Sequence, residues 1–153
     1  MELATVPGLT SALRAHGYQV RGPVGVGSSG PAWAAHAPDG ARVVVSVLDL
    51  DLPIAARRPA LVRLEVLARV RHPHLVPLLD VVEIDAHRTA LVTAHVEGPS
   101  VGAVLALRPR WRAGEVLTLV APVAGALEAL EAEGLRHGDV SPENVVLGPG
   151  GTP

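Results

Sequence analysis

Three stretches of this chain carry residue types that could do chemistry. The first is residues 25–30, GVGSSG, a G-x-G-x-x-G. Glycine has no Cβ, so backbone N–H groups in such a turn can come close to an anion such as phosphate. In a chain with sixteen glycines the same pattern fits an ordinary turn equally well. The second is Glu65, which shares a predicted helix face with Leu61, Leu64 and Ala68 at i, i+3, i+4 and i+7 spacing. That spacing predicts an inward carboxylate, whereas Arg69 at i+4 offers it a surface partner instead. The third is residues 135–147, LRHGDVSPENVVL. Asp139 and Asn144 share one short loop ahead of a predicted strand. A carboxylate there can meet an incoming hydroxyl, and an amide oxygen can meet a cation. An ordinary polar loop, with Ser141-Pro142-Glu143 capping a turn, is the alternative.

The elements that must position these residues follow from periodicity and turn signals. Residues 9–16 predict a short helix closed by Gly17. Residues 18–24 and 32–37 predict strands around the Gly-rich turn, and Pro38-Asp39-Gly40 marks the next turn. Residues 42–48, RVVVSVL, are rich in β-branched side chains and predict a strand. Residues 55–70 predict a helix stopped by His72-Pro73. Residues 75–84 and 88–96 predict a hairpin through Asp85-Ala86-His87. Residues 100–107 and 113–133 predict two helices, the second kinked or started late by Pro122. Residues 145–147 predict a short strand before a glycine-rich turn. Strands, a helix, strands and then helices make an α+β chain: an antiparallel sheet with one helix, followed by a helical region.

Composition limits the function. A chain of 153 residues is the size of one domain. A net charge of −2 gives no reason to expect nucleic acid or an anionic membrane as partner. All thirteen basic residues are Arg; Lys, Cys and Phe are absent. Disulfides and cysteine metal sites are thereby excluded, and the core must rest on Leu, Val and Ala. The N-terminus lacks the basic start and long apolar stretch of a signal peptide. The longest uncharged apolar stretch, residues 116–127, is too short to span a bilayer. The expectation is a soluble, cytoplasmic protein.

Taken together, the motifs resemble the protein kinase family. The Gly-rich turn lies between two predicted strands, whereas a Rossmann loop opens a helix. Residues 71–82, RHPHLVPLLDVV, resemble the kinase H-P-N-I-V segment, and residues 91–100, LVTAHVEGPS, resemble the strand leading into the hinge. Residues 135–147 resemble the catalytic loop H-R-D-L-K-P-E-N-I-L-L. The resemblance covers about residues 18–147. It implies an N-terminal extension (1–17), a small antiparallel β lobe with one helix (18–93), a hinge (94–98) and the opening helices of an incomplete helical lobe (99–153). It also implies ATP and Mg2+ as cofactors, if binding is retained. Asp139 would take the base position and Asn144 the magnesium position. Gly25, Gly27 and Gly30 would cover phosphates, with Val44 at the adenine site, Thr93 as gatekeeper and the backbone of Ala94 and Val96 on the adenine edge. Glu65 and Ser46 would stand where the family pairs a helix Glu with the strand Lys of V-A-I-K.

The departures imply impaired catalysis. Residues 43–46 read Val-Val-Val-Ser, so Ser46 replaces the phosphate-binding Lys and Val44 replaces a small Ala. Losing one partner of a buried ion pair costs about 3–5 kcal/mol. Ala32 replaces the usual Val over the adenine, Ser141 replaces a second Lys and Gly138 replaces an Arg. D-F-G, expected roughly a dozen residues after Asn144, does not occur before Pro153. Arg42, four positions before Ser46 and on the same strand face, is a possible substitute cation. The implied function is a serine/threonine-kinase-like pseudokinase. The alternatives are a fragment of a longer active kinase, or a small-molecule phosphotransferase of the aminoglycoside or choline kinase type, whose H-G-D matches His137-Gly138-Asp139. Leu117, Ala121 and Ala124 would leave apolar helix surface uncovered, which implies either a protein partner there or, from a broken reading frame, a poorly stable product.

Overall fold

The computed structural model describes residues 6–27 and 30–153. Residues 28 and 29, at the tip of the Gly-rich turn, lie outside the described residues. The chain forms two compact units. One holds residues up to Arg69 together with Leu78–His95, and the other holds Val70–Pro77 and Val96–Pro153.

The first unit is a five-stranded antiparallel sheet. Its strands are β1 (Gln19–Gly27), β2 (Gly30–His36), β3 (Arg42–Asp49), β4 (Leu78–Glu83) and β5 (Arg88–Ala94), in the order β1-β2-β3-β5-β4. Successive side chains on a strand point to opposite faces. On β3, Val43 and Val45 are buried while Val44 and Ser46 are half-buried. The buried face joins Trp33 and Ala35 of β2, Val82 of β4, and Ala90 and Val92 of β5 in one core.

Helix α1 (Leu9–Ala15) closes that core with Leu9 and Leu13. The boundary expected at residue 18 therefore cuts through a packed cluster, and residues 9–15 are part of the sheet's core. Gly17 ends the helix at φ +83, a left-handed turn that glycine adopts without strain. Tyr18 follows, mostly buried, with its hydroxyl donating to Asp80 Oδ2 at 3.2 Å. Burial first, and the Asp80 carboxylate second, push the Tyr18 pKa up to about 12.

The expected hairpin joins β4 to β5. Asp85 Oδ1 accepts from the backbone N–H of His87 and of Arg88, each at 2.9 Å, and Oδ2 accepts from Arg88 Nε at 2.8 Å. The Arg88 hydrogen bond is the main reason the Asp85 carboxyl is held below its ordinary pKa.

Helix α2 (Ile54–Leu67) ends short of the expected residue 70. Leu61 is 41% and Val62 48% exposed, and Glu65 is exposed. Arg57 ties the helix start to its surroundings: Nε donates to the Leu52 carbonyl, Nη1 to the Ala86 carbonyl at 3.0 Å, and Nη2 meets His87 Nδ1 at 2.8 Å.

The second unit holds α3 (Val101–Leu107) and α4 (Ala113–Ala132). Ser100 caps α3 by accepting from the Ala103 N–H at 3.1 Å. At the start of α4, Glu115 accepts from the Arg112 N–H at 2.7 Å and from Arg108 at 2.8 Å. Those bonds, the backbone one first, lower its pKa. Of the kink or late start expected at Pro122, the late start does not occur: α4 runs from Ala113 through Pro122 as one helix. It buries Ala126 and Leu130 but leaves Val116, Leu117 and Val120 exposed. Among the described residues it is the one helix long and apolar enough to cross a membrane by length and composition, which the cores of soluble proteins also supply. Residues 70–77, expected in the small lobe, group with this unit: His72 lies against α4 at Gly125, and His74 Nδ1 meets the Pro153 carbonyl at 2.7 Å. The expected strand at 145–147 reduces to a single bridge between Val146 and Ser100.

Candidate functional site

The loop after α4 begins where Gly134, at φ +69, turns the chain and the Leu135 N–H donates back to the Leu130 carbonyl at 2.9 Å. Leu135 is buried and anchors the loop, while residues 136–140 are exposed. Gly138 has φ +78, so the position where the resemblance expects Arg has a backbone conformation that suits glycine. The Asp139 N–H points to His137 Nδ1 at 3.4 Å. Asn144 Nδ2 donates to the Asp139 carbonyl at 2.9 Å and to Asp139 Oδ2 at 2.8 Å. The Asn144 N–H donates to the Ser141 carbonyl at 3.1 Å, closing the turn between the two side chains. Asp139 and Asn144 thus form one bonded pair. The pairing uses the amide nitrogen of Asn144, so the oxygen a cation would need is not the atom engaged with Asp139.

The singled-out residues on β1, β2, β3 and β5 lie in the first unit, whereas Val96, beyond the end of β5, falls in the second. Gly25 on β1 pairs with Ala32 on β2. Gly27 and Gly30 close the β1–β2 hairpin as a pair, with Gly30 at φ +95. Val44 pairs with Ala34 and with Thr93; Ser46 pairs with Ala32 and with Leu91. Val44, Ser46, Ala32, Ala34, Leu91 and Thr93 are all half-buried, the face opposite the core. Thr93 Oγ1 donates to the Val44 carbonyl at 3.4 Å, and Ala94 and Val96 are half-buried. Arg42 is an exposed residue at the start of β3, where its carbonyl accepts from the His95 N–H at 3.2 Å. Glu65, expected to face inward, is exposed, and its carboxylate makes no hydrogen bond or ion pair among the described residues. The residues that could hold a cation are therefore Asp139 and Asn144, and the described glycines that the resemblance sets against phosphate are Gly25, Gly27 and Gly30. Among the described residues, no group of three or more potential metal-ligating side chains occurs.

Sequence reasoning passed over two features. His95 Nδ1 is buried without a hydrogen-bond partner among the described residues. Gly98, at φ +149, lies so close to Leu147 that a Cβ would overlap its carbonyl oxygen. Neither has a local sequence signal.

Residues 19–152 match the family model for protein tyrosine and serine/threonine kinase. The chain is 35% identical over 143 residues to serine/threonine-protein kinase PkaB of Streptomyces coelicolor, covering 84% of this chain and 32% of that protein. It is 32% identical over 133 residues to serine/threonine-protein kinase pkn2 of Myxococcus xanthus, covering 85% of this chain and 16% of that protein. It is 40% identical over 87 residues to serine/threonine-protein kinase PknI of Mycobacterium tuberculosis, covering 54% of this chain and 14% of that protein. The chain belongs to the protein tyrosine and serine/threonine kinase family, and it spans about a third or less of the length of these relatives.

Proposed function

We propose that this chain is a serine/threonine-kinase-like module with impaired phosphoryl transfer and residual nucleotide binding. The observation that carries the reading is the charge around Ser46. Its cross-strand partners are Ala32 and Leu91, its diagonal neighbours include Ala34 and Thr93, and its same-face neighbours along β3 are Val44 and Leu48. None is a cation. Arg42 is four residues away, about 13 Å along an extended strand, at the end bonded to His95. Arg88, across from Asp49, falls on the other face and is bonded to Asp85. A nucleotide triphosphate beside Ser46 would therefore lack the countercharge that this position supplies in the family.

Asp139 and Asn144 would still serve as base and magnesium ligand, with ATP and Mg2+ as the cofactors of the family. The Gly25–Gly30 turn would face the phosphates, and residues 93–96 the adenine. The exposed α4 residues Val116, Leu117 and Val120 would be covered by a protein partner. The protein would work in the cytoplasm, without nucleic acid or membrane as partner.

The test is calorimetry of Mg·ATP and adenosine on the native protein and on Ser46→Lys. The expected result is weak Mg·ATP binding that Ser46→Lys strengthens about tenfold, or ~1.4 kcal/mol, with adenosine unchanged. Equal Mg·ATP affinity in the two proteins would refute the role given to Ser46. A second reading, a small-molecule phosphotransferase, is favoured by one observation, the left-handed Gly138 between His137 and Asp139. Turnover of an amino-sugar or amino-alcohol acceptor, with none of protein acceptors, would select it.

A further inference from the structure

We infer that Gly98 is a positioning residue for the loop that carries Asp139 and Asn144. A Cβ on Gly98 would overlap the Leu147 carbonyl oxygen and lie 2.8 Å from its carbon, where real Cβ atoms essentially never come under 3.0 Å. Among the described glycines, only Gly98 would meet backbone inside that limit. Gly17 would meet the Pro38 ring at 2.9 Å and Gly102 the Glu143 carboxylate at 2.7 Å. Gly114, Gly134 and Gly138 have open space.

This close approach starts a zipper. The Leu147 N–H donates to the Pro99 carbonyl at 2.9 Å, Ser100 bridges Val146, the Val101 N–H donates to the Val145 carbonyl at 2.8 Å, and the Gly102 N–H donates to the Pro142 carbonyl at 2.8 Å. Residues 98–102 are thus fastened to residues 142–147, and Asn144 lies inside the fastened stretch. Asn144 in turn holds Asp139 by two bonds through Nδ2. A side chain at position 98 must move one of the two backbones. If residue 98 retreats, the zipper loses its end; if Leu147 retreats, the segment bearing Asn144 goes with it. Either movement reaches the Asp139–Asn144 pair. Glycine here is required for backbone approach as well as for its φ of +149.

The inference rests on reading Asp139 and Asn144 as the site, but its test needs no activity. The Asn144 side-chain amide is assigned in a nitrogen–proton correlation spectrum by its loss in Asn144→Asp. In Gly98→Ala, both Asn144 Nδ2 proton signals should shift toward free-amide positions while the amides of β2, β3 and β5 stay in place. Gly114→Ala, with open space around it, should shift neither. Val101→Pro is the second variant, used because Gly98→Ala can fail to fold. It removes the Val101 N–H bond to Val145 at the first position of α3, where proline is tolerated, and should shift the same two signals. If either variant folds and leaves the Asn144 signals unmoved, the inference is overturned. Phosphoryl transfer by the native protein, or no nucleotide binding by it, would count against the proposed function and leave this test untouched.

Discussion

Asn144 holds Asp139 at two points with one nitrogen: Nδ2 donates to the Asp139 carbonyl at 2.9 Å and to its carboxylate at 2.8 Å. The backbone and the side chain of the candidate base are thus fixed by the residue that would ligate magnesium. Replacing the amide by a carboxylate removes both donors and sets two negative charges together. We expect Asn144→Asp to be less stable than Asn144→Ala near neutral pH. The gap should close as pH falls below the carboxylate range, where the repulsion is titrated away. Thermal unfolding across that range measures it, and a gap independent of pH would contradict the pairing.

Tyr18 is the one tyrosine in the chain, so tyrosinate absorbance reports it alone. Its midpoint should fall near 12 in the folded protein and near 10 after unfolding. The folded pKa is raised, so this contribution to stability is complete below pH 10 and is lost as pH rises through 12. Tyr18→Phe should flatten that alkaline loss. A folded midpoint near 10 would show that Tyr18 is neither buried nor bonded to Asp80.

Leu13 is fully buried, while Leu61 on α2 is 41% exposed. Leu13→Ala should cost about 2–5 kcal/mol in denaturant unfolding, and Leu61→Ala within about 0.5 kcal/mol. Equal costs would mean either that α1 is not part of the sheet's core or that α2 is more deeply packed than its exposure indicates.

The α+β order, the five strands and the closure of α1 at Gly17 were legible because each rests on local signals: β-branched runs, turn residues and a left-handed glycine. The facing of Glu65 was not. Periodicity says that Leu61, Glu65 and Ala68 share a face, but α2 spreads Leu61, Val62, Leu64 and Val66 around its circumference, so no stripe marks a docked side. Residues 145–147 are β-branched enough to predict a strand, yet only Val146 finds a bridging partner. Asp139 and Asn144 were legible as a pair because their loop is short. Arg42 satisfies the face rule, yet it sits four residues from Ser46, about 13 Å along an extended strand, a separation that a period of two does not encode. Gly98 was invisible, because what singles it out is a backbone 49 positions further along the chain.

The most direct measurement is phosphoryl transfer from γ-labelled ATP and Mg2+ by the native protein, against protein acceptors and small hydroxyl acceptors, with Asp139→Asn as the reference. With Ser46 among uncharged neighbours, the expected result is no transfer above that reference. Transfer by the native protein that Asp139→Asn abolishes would contradict impaired catalysis and return Asp139 and Asn144 to a working active site.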